Sequence, residues 1–278
     1  MRQASLILGE SAKRPLELRS PVLPAAGFLG YGRSLPQPLS PTAFGALVTR
    51  VTTLRPVSGL PLEQQKLRHQ ALAIYPLPPP NPGIAAVLRE FGPTWRQWPS
   101  SIVLALYGMT VEELAPVALM AARFENIGAL ELHLPVDADG EWLREVLPCL
   151  QAESELPVLV KLPLSRAAEL APAAEASGAA ALVLGTPHCA ALETGLSGPA
   201  YGPWILPYTF YALQQTRRVT ALPLIASGGI CSLEAAEACL RAGAVAVQLD
   251  VLLVSDPEAA AAVAQRLPSA AAALAASG

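Results

Sequence analysis

The sequence predicts an α/β protein built as one (β/α)8 TIM barrel spanning residues 1–278. Three observations carry this expectation. Short β-like runs recur in order with helical segments between them, the pattern of βα units feeding a parallel sheet. The length of 278 residues lies near the roughly 250 typical of such a barrel. Two glycine-bearing turns stand about one helix apart late in the chain, Leu196-Ser197-Gly198-Pro199-Ala200 and Ala226-Ser227-Gly228-Gly229-Ile230. Barrels of this class often hold a phosphate over the loops after their last strands, where glycines let backbone N–H groups approach an anion closely.

The elements follow in order. Ser5–Leu8 and Leu16–Leu18 predict a small N-terminal β-hairpin outside the barrel. Barrel strands are expected near Val22–Ala25, Ala46–Thr49, Ile102–Tyr107, Leu130–Leu134, Val158–Leu162, Ala181–Gly185, Leu224–Ala226 and Ala244–Leu249. The connecting helices are Ala-rich and amphipathic, as in Val111–Phe124 and Leu233–Ala242, with Gly128 and Gly243 expected to stop or turn the chain before the next strand. Leu54–Pro99 is a long insertion after the second strand. Its dense prolines from Pro76 to Pro82 forbid a single helix or strand, and insertions of this length usually cover a barrel mouth. A final helix is expected from Pro257 onwards.

Composition narrows the function classes. Apolar residues make up 52% and charged residues 15%, enough for a large core and against disorder. The mean hydropathy of +0.39 leaves apolar surface suited to a homo-oligomer, most simply a dimer. With a net charge of −3 and no basic stripe, nucleic-acid binding has no support. No secretory signal and no uninterrupted apolar run long enough to span a membrane are recognised. Cys149, Cys189, Cys231 and Cys239 have no Cys-x-x-Cys spacing, which argues against a metal site or a disulfide framework and for a cytoplasmic protein.

Several residues stand out chemically. Lys161 lies within an apolar strand, where an unpaired charge is costly. It faces either a ligand at the barrel mouth or Glu131 inside the barrel. Glu131 and His133 share a face of the fourth strand and point inward if odd positions do. His133 is then the candidate acid or base, against the alternative of a hydrogen-bonded core histidine. For Arg50, an anion contact competes with a surface or interface ion pair. For Gly228 and Gly229, phosphate contact competes with a simple strand-to-helix turn. His188-Cys189 lies at the functional end of the sixth strand, but adjacency in sequence does not activate a thiol. His69 is expected to be solvated surface.

With the strands placed, the chain resembles the dihydroorotate dehydrogenase family, flavin-dependent barrels of the soluble class. The resemblance rests on Pro24-Ala25-Ala26-Gly27, on Phe44 to Leu54, on Val160-Lys161-Leu162-Pro163, and on Leu196–Ala200 with Gly228-Gly229-Ile230. Asn81-Pro82-Gly83 resembles the end of the family's substrate-contact loop. The resemblance implies FMN across the barrel top and a small organic substrate. Ala26, Gly27, Arg50 and Lys161 would lie beside the flavin, and Ser197, Gly198, Gly228 and Gly229 at its phosphate. It implies hydride transfer from dihydroorotate to flavin, a step of pyrimidine biosynthesis, with a Cys or Ser base in a loop after the fourth strand.

The sequence departs from that pattern at definite places. His133-Leu134-Pro135-Val136-Asp137-Ala138 puts Val136 where the base belongs, and the loop is short. Arg50 replaces a lysine, and Gly185-Thr186-Pro187 replaces a polar segment. Asp250 stands where a glycine amide would meet the phosphate. A carboxylate about 5 Å from a phosphate repels it by roughly 1–3 kcal/mol. Two functions are therefore carried forward: an FMN-dependent oxidoreductase with divergent catalytic residues, and a catalytically degenerate barrel acting as a binding or scaffold subunit.

Overall fold

A computed structural model describes residues 5–10, 12–59, 73–74, 78–191 and 197–277. The strands are β1 (Leu6–Leu8), β2 (Leu16–Leu18), β3 (Val22–Pro24), β4 (Ala46–Val48), β5 (Ala73–Ile74), β6 (Ser101–Tyr107), β7 (Ile127–His133), β8 (Val158–Pro163), β9 (Ala181–Thr186), β10 (Cys189–Ala191), β11 (Ser197–Tyr201), β12 (Leu224–Ser227) and β13 (Ala246–Leu249). The helices are α1 (Ile84–Trp95), α2 (Val111–Ala122), α3 (Gly140–Ser154), α4 (Ala167–Ala176), α5 (Leu206–Thr216), α6 (Leu233–Arg241), α7 (Leu252–Ser255) and α8 (Pro257–Ser277).

Eight strands form one parallel sheet in the order β3-β13-β12-β9-β8-β7-β6-β4. The sheet curls until its two edges meet. The seam is a hydrogen bond from the Gly45 N–H, just before β4, to the Val22 carbonyl of β3 at 2.9 Å. Only glycine suits this position, because a Cβ on Gly45 would lie 2.1 Å from the Ser20 carbonyl oxygen. All eight expected barrel strands are present and the architecture is the α/β barrel the sequence predicts.

Strand alternation sorts the core into two sets. Val103 and Ala105 of β6, Ala129 of β7, Leu159 of β8, Ala181 and Val183 of β9, Ile225 of β12 and Ala246 of β13 form an inner cluster. Their even-numbered neighbours on β6 to β9 pack outward against the helices. The β1–β2 hairpin, paired antiparallel from Leu6↔Leu18 to Leu8↔Leu16, sends Leu8, Leu16 and Leu18 into the inner cluster. Burying each of these leucines contributes about 1.5–3 kcal/mol, so the hairpin is fastened to the barrel by its apolar face.

Two expectations change and one is filled in. Gly128 is not a turn before the fourth strand; it lies inside β7, where a Cβ would come 3.0 Å from that of Ser101. The insertion from Leu54 to Pro99 contains an ordered helix of its own, α1, which starts directly after Gly83. The segment expected to be a glycine-rich loop is a strand from Ser197: β11 pairs antiparallel with β10 and with β5, making a three-stranded sheet beyond the C-terminal end of β9. Leu196 and His69 lie outside the described residues.

Candidate functional site

The inner face changes character towards the C-terminal ends of the strands. Below are Ala129, Leu159, Ala181 and Ala246; above are the buried Glu131, His133, Lys161, Ser227, Gln248 and Asp250. Parallel pairing sets Glu131 beside Leu159 and His133 beside Lys161. The odd-inward alternation read from the sequence therefore brings Glu131, His133 and Lys161 together.

Glu131 is the hub. It accepts from His133 Nε2 at 2.8 Å, from Lys161 Nζ at 3.5 Å and, through its other oxygen, from Gln248 Nε2. Lys161 Nζ also donates to Gln248 Oε1 at 2.6 Å. Gln248 thus gives its N–H to the carboxylate and its oxygen to the ammonium, which fixes the orientation of its amide. Burial pushes the Glu131 carboxyl up, but the Lys161 charge and the His133 and Gln248 contacts outweigh it and hold it at about 2. Burial lowers His133, with Lys161 acting in the same sense and Glu131 opposing. A neutral His133 donating to an ionised Glu131 is the arrangement at neutral pH. Of the two alternatives for Lys161, the pairing with Glu131 inside the barrel is the one the geometry forms. Gln248 was not singled out in the sequence, although its place in the inward series Ala246, Gln248, Asp250 is a readable signal.

Asp250 follows β13 and is 1% exposed. Its Oδ2 accepts from the Gly229 N–H at 3.2 Å and its Oδ1 from the Val251 N–H at 2.7 Å. Burial raises its pKa to about 6 against these hydrogen bonds and the Lys161 charge. Gly228 and Gly229 have φ of 118° and 75°, so the turn needs glycine. Its other side is filled by the start of α5. A Cβ on Gly229 would lie 2.4 Å from the Leu206 nitrogen, and one on Gly228 3.1 Å from Ile205 Cγ2 and from Thr209 Oγ1.

Arg50 follows β4, is buried, and lies with its guanidinium 5.1 Å from the Tyr31 ring centre. Burial lowers Arg50 and raises Tyr31 to about 12. Ala26 and Gly27 lie in the turn after β3, closed by Phe28 N to Ala25 O and Gly30 N to Gly27 O. Beside this turn a cavity of about 990 Å³ is lined by Phe28, Tyr31, Arg50, Asn81, Phe91 and Val254. Neither His133 nor Lys161 reaches it. Asn81 is engaged by its own loop: its Oδ1 accepts from Thr53 and Gly83, and its Nδ2 donates to the Pro79 carbonyl.

Gly185 points at Ser227, and a Cβ there would lie 2.3 Å from the Ser227 Cβ. This glycine near the end of the sixth barrel strand is therefore imposed by packing, and a larger polar side chain has no room. The Ser227 hydroxyl is buried with no hydrogen-bond partner among the described residues. Val136 is 82% exposed, on the short loop that ends where Asp139 caps α3 through Glu141 N and Trp142 N, both at 2.9 Å. Ser197 and Gly198 lie in β11 opposite Ala191 and Ala190. His188 packs edge-on against Tyr208, 5.6 Å between ring centres, and Cys189 is exposed. Among the described residues no group of three His, Cys, Asp or Glu is placed to hold a metal ion, and no helix is long and apolar enough to cross a membrane.

The chain is similar to catalogued enzymes over most of its length. It is 30% identical over 267 residues to the catalytic subunit of dihydroorotate dehydrogenase B (NAD(+)) of Geobacillus sp. (strain WCH70), covering 87% of this chain and 84% of the relative. Identity is also 30% to the Desulforudis audaxviator catalytic subunit of the same name, over 91% and 89% of the two chains. The Streptococcus pneumoniae (strain ATCC BAA-255 / R6) subunit of that name is 28% identical, again over 91% and 89%. The family model for dihydroorotate dehydrogenase matches residues 13–270. That match runs through every strand of the barrel, and the chain belongs to the dihydroorotate dehydrogenase family.

Proposed function

We propose that this chain is a ligand-binding member of its family that has given up dihydroorotate oxidation. The observation that carries this is Val136. It stands where the resemblance puts the proton-accepting Cys or Ser, and it is a solvent-exposed valine with no proton to exchange. General-base help is typically worth 10²–10⁴ in rate. His133, the other candidate base, is buried and hydrogen-bonded to Glu131. Asn81 is engaged by its own loop, and Gly185 leaves no room for a polar side chain.

The FMN implied by the resemblance does not fit the residues present. The Gly229 amide already donates to the buried Asp250 carboxylate, which stands where the resemblance puts the phosphate. What the fold does offer is the cavity of about 990 Å³ beside Tyr31 and Arg50. Its lining mixes aromatic and apolar side chains with Arg33, Arg50, Asn81 and Glu90, a combination that suits a small polar organic molecule.

A flavin-dependent oxidoreductase of pyrimidine biosynthesis is the second reading. Family membership favours it, as does Lys161 among the buried polar groups on the inner face of the fifth barrel strand. One experiment separates the two. The purified full chain is incubated with FMN, desalted, and examined for the visible flavin band and for dye-coupled oxidation of dihydroorotate. The proposed function predicts neither band nor turnover; retained flavin with orotate formation would establish the second reading.

A further inference from the structure

The disagreement between the chain and a phosphate-bearing cofactor has a specific shape. Two backbone N–H groups converge on one point between the ends of β12 and β13: Gly229, from the turn after β12, and Val251, from the turn after β13. Convergent backbone amides at adjoining turns make an anion site, and these two turns follow the seventh and eighth barrel strands, where such barrels often hold phosphate. The anion present is the side chain of Asp250, with one oxygen on each amide at 3.2 and 2.7 Å. It is 1% exposed. No Lys, Arg or His forms a salt bridge with it among the described residues.

A buried carboxylate without a salt bridge is costly to keep. Capping Val251 alone does not require it, because a serine or asparagine side chain does that from a short turn. The reach across to Gly229, 21 positions earlier, is what a local cap leaves unexplained. Without the carboxylate the Gly229 N–H would face a buried gap, and an unmet buried donor costs about 1–3 kcal/mol.

We propose that Asp250 is a built-in substitute for a phosphate, filling the Gly229–Val251 anion site from within, so that the site accepts an external phosphate monoester or inorganic phosphate only when that carboxylate is removed. This rests on the reading above that the wild-type chain does not hold FMN. It adds that the loss is caused by one side chain and that the amide cradle itself survives.

The test uses the full chain as wild type, Asp250→Gly and Asp250→Ser. Thermal unfolding is followed with and without millimolar inorganic phosphate, against chloride at equal ionic strength. FMN and riboflavin, which lacks the phosphate, are then titrated by fluorescence quenching. The wild-type midpoint should not respond to phosphate. Both variants should be less stable than wild type in chloride and recover in phosphate, and FMN should bind them at least about tenfold more tightly than riboflavin, a difference of about 1.4 kcal/mol. Variants that fold only in phosphate would also support the proposal. Variants that respond to phosphate no more than wild type, or fail to fold in either salt, would overturn it and leave the proposed function standing. Wild-type protein that retains stoichiometric FMN would overturn both.

Discussion

His133 Nε2 lies 2.8 Å from Glu131 Oε1 inside the barrel, two residues along the same strand. A carboxylate at this depth is tolerable only because His133, Lys161 and Gln248 all donate to it. The upper part of the barrel interior therefore holds a satisfied internal charge. Removing one partner of such a buried pair is expensive, whereas replacing both by neutral groups is often close to neutral.

Lys161→Met should accordingly destabilise the fold by about 3–5 kcal/mol, the usual cost of stranding a buried charge. Adding Glu131→Gln should recover a large part of that loss. Urea unfolding midpoints of the wild type, both single variants and the double variant measure the coupling. Additive losses would show that the two side chains do not depend on each other.

Asp250 gives stability a pH dependence of unusual sign. Its folded pKa of about 6 lies above the roughly 3.9 of an unfolded aspartate. Between those values the folded state holds more protons than the unfolded, so this contribution falls as pH rises and is fully lost above about 6. Two pKa units correspond to about 3 kcal/mol. Glu131, at about 2 when folded, acts in the opposite sense: its contribution is present above about 4.3 and lost as pH falls below that. His133, lowered by burial, also loses stability on acidification below about 6.5. Lys161 and Cys231 are the charged or titratable groups that act on or feel Asp250. Comparing wild type with Asp250→Asn isolates the aspartate. The wild type should lose stability relative to the variant as pH rises through about 4–6, read as chemical-denaturation midpoints; parallel curves would contradict this.

Gly45→Ala should damage closure of the barrel. The added Cβ would meet the Ser20 carbonyl oxygen at 2.1 Å, and backbone on both sides of the seam must move. The cost should reach or exceed the about 1–3 kcal/mol typical of overpacking, with loss of exchange protection at the Gly45 amide that bonds Val22. A variant as stable as wild type, with that amide still protected, would show that the seam yields easily.

How much of this was legible depended on whether the signal was local. The barrel strands were readable because β-like runs and turn residues alternate along the chain. The meeting of Glu131, His133 and Lys161 followed from period-two alternation in strands that the fold places side by side. Gly128 misled because glycine in sequence signals a turn, while here it makes room for Ser101 on the neighbouring strand. The β5–β10–β11 sheet was hidden in two- to five-residue pieces, too short for any period to register. Asp250 was visible as an odd residue at a phosphate-loop position, but its partner, the Gly229 amide, is fixed only when β12 and β13 are paired.

Val136→Cys, which restores a proton acceptor at the exposed tip of the loop, should not by itself produce orotate from dihydroorotate in the presence of FMN. A base acts only on a substrate held within hydrogen-bond reach, and the flavin that would hold and oxidise it has no free amide at Gly229. Combining Val136→Cys with Asp250→Gly opens the anion site, yet Asn81 remains tied to Pro79 and Gly83 and Gly185 remains against Ser227. The double variant should therefore gain FMN binding without efficient turnover, which equilibrium titration and a dye-coupled assay on the same preparation separate. Efficient turnover in the single Val136→Cys variant would show instead that one missing base was all that separated this chain from its relatives' chemistry, and that the carboxylate at Asp250 leaves room for the cofactor.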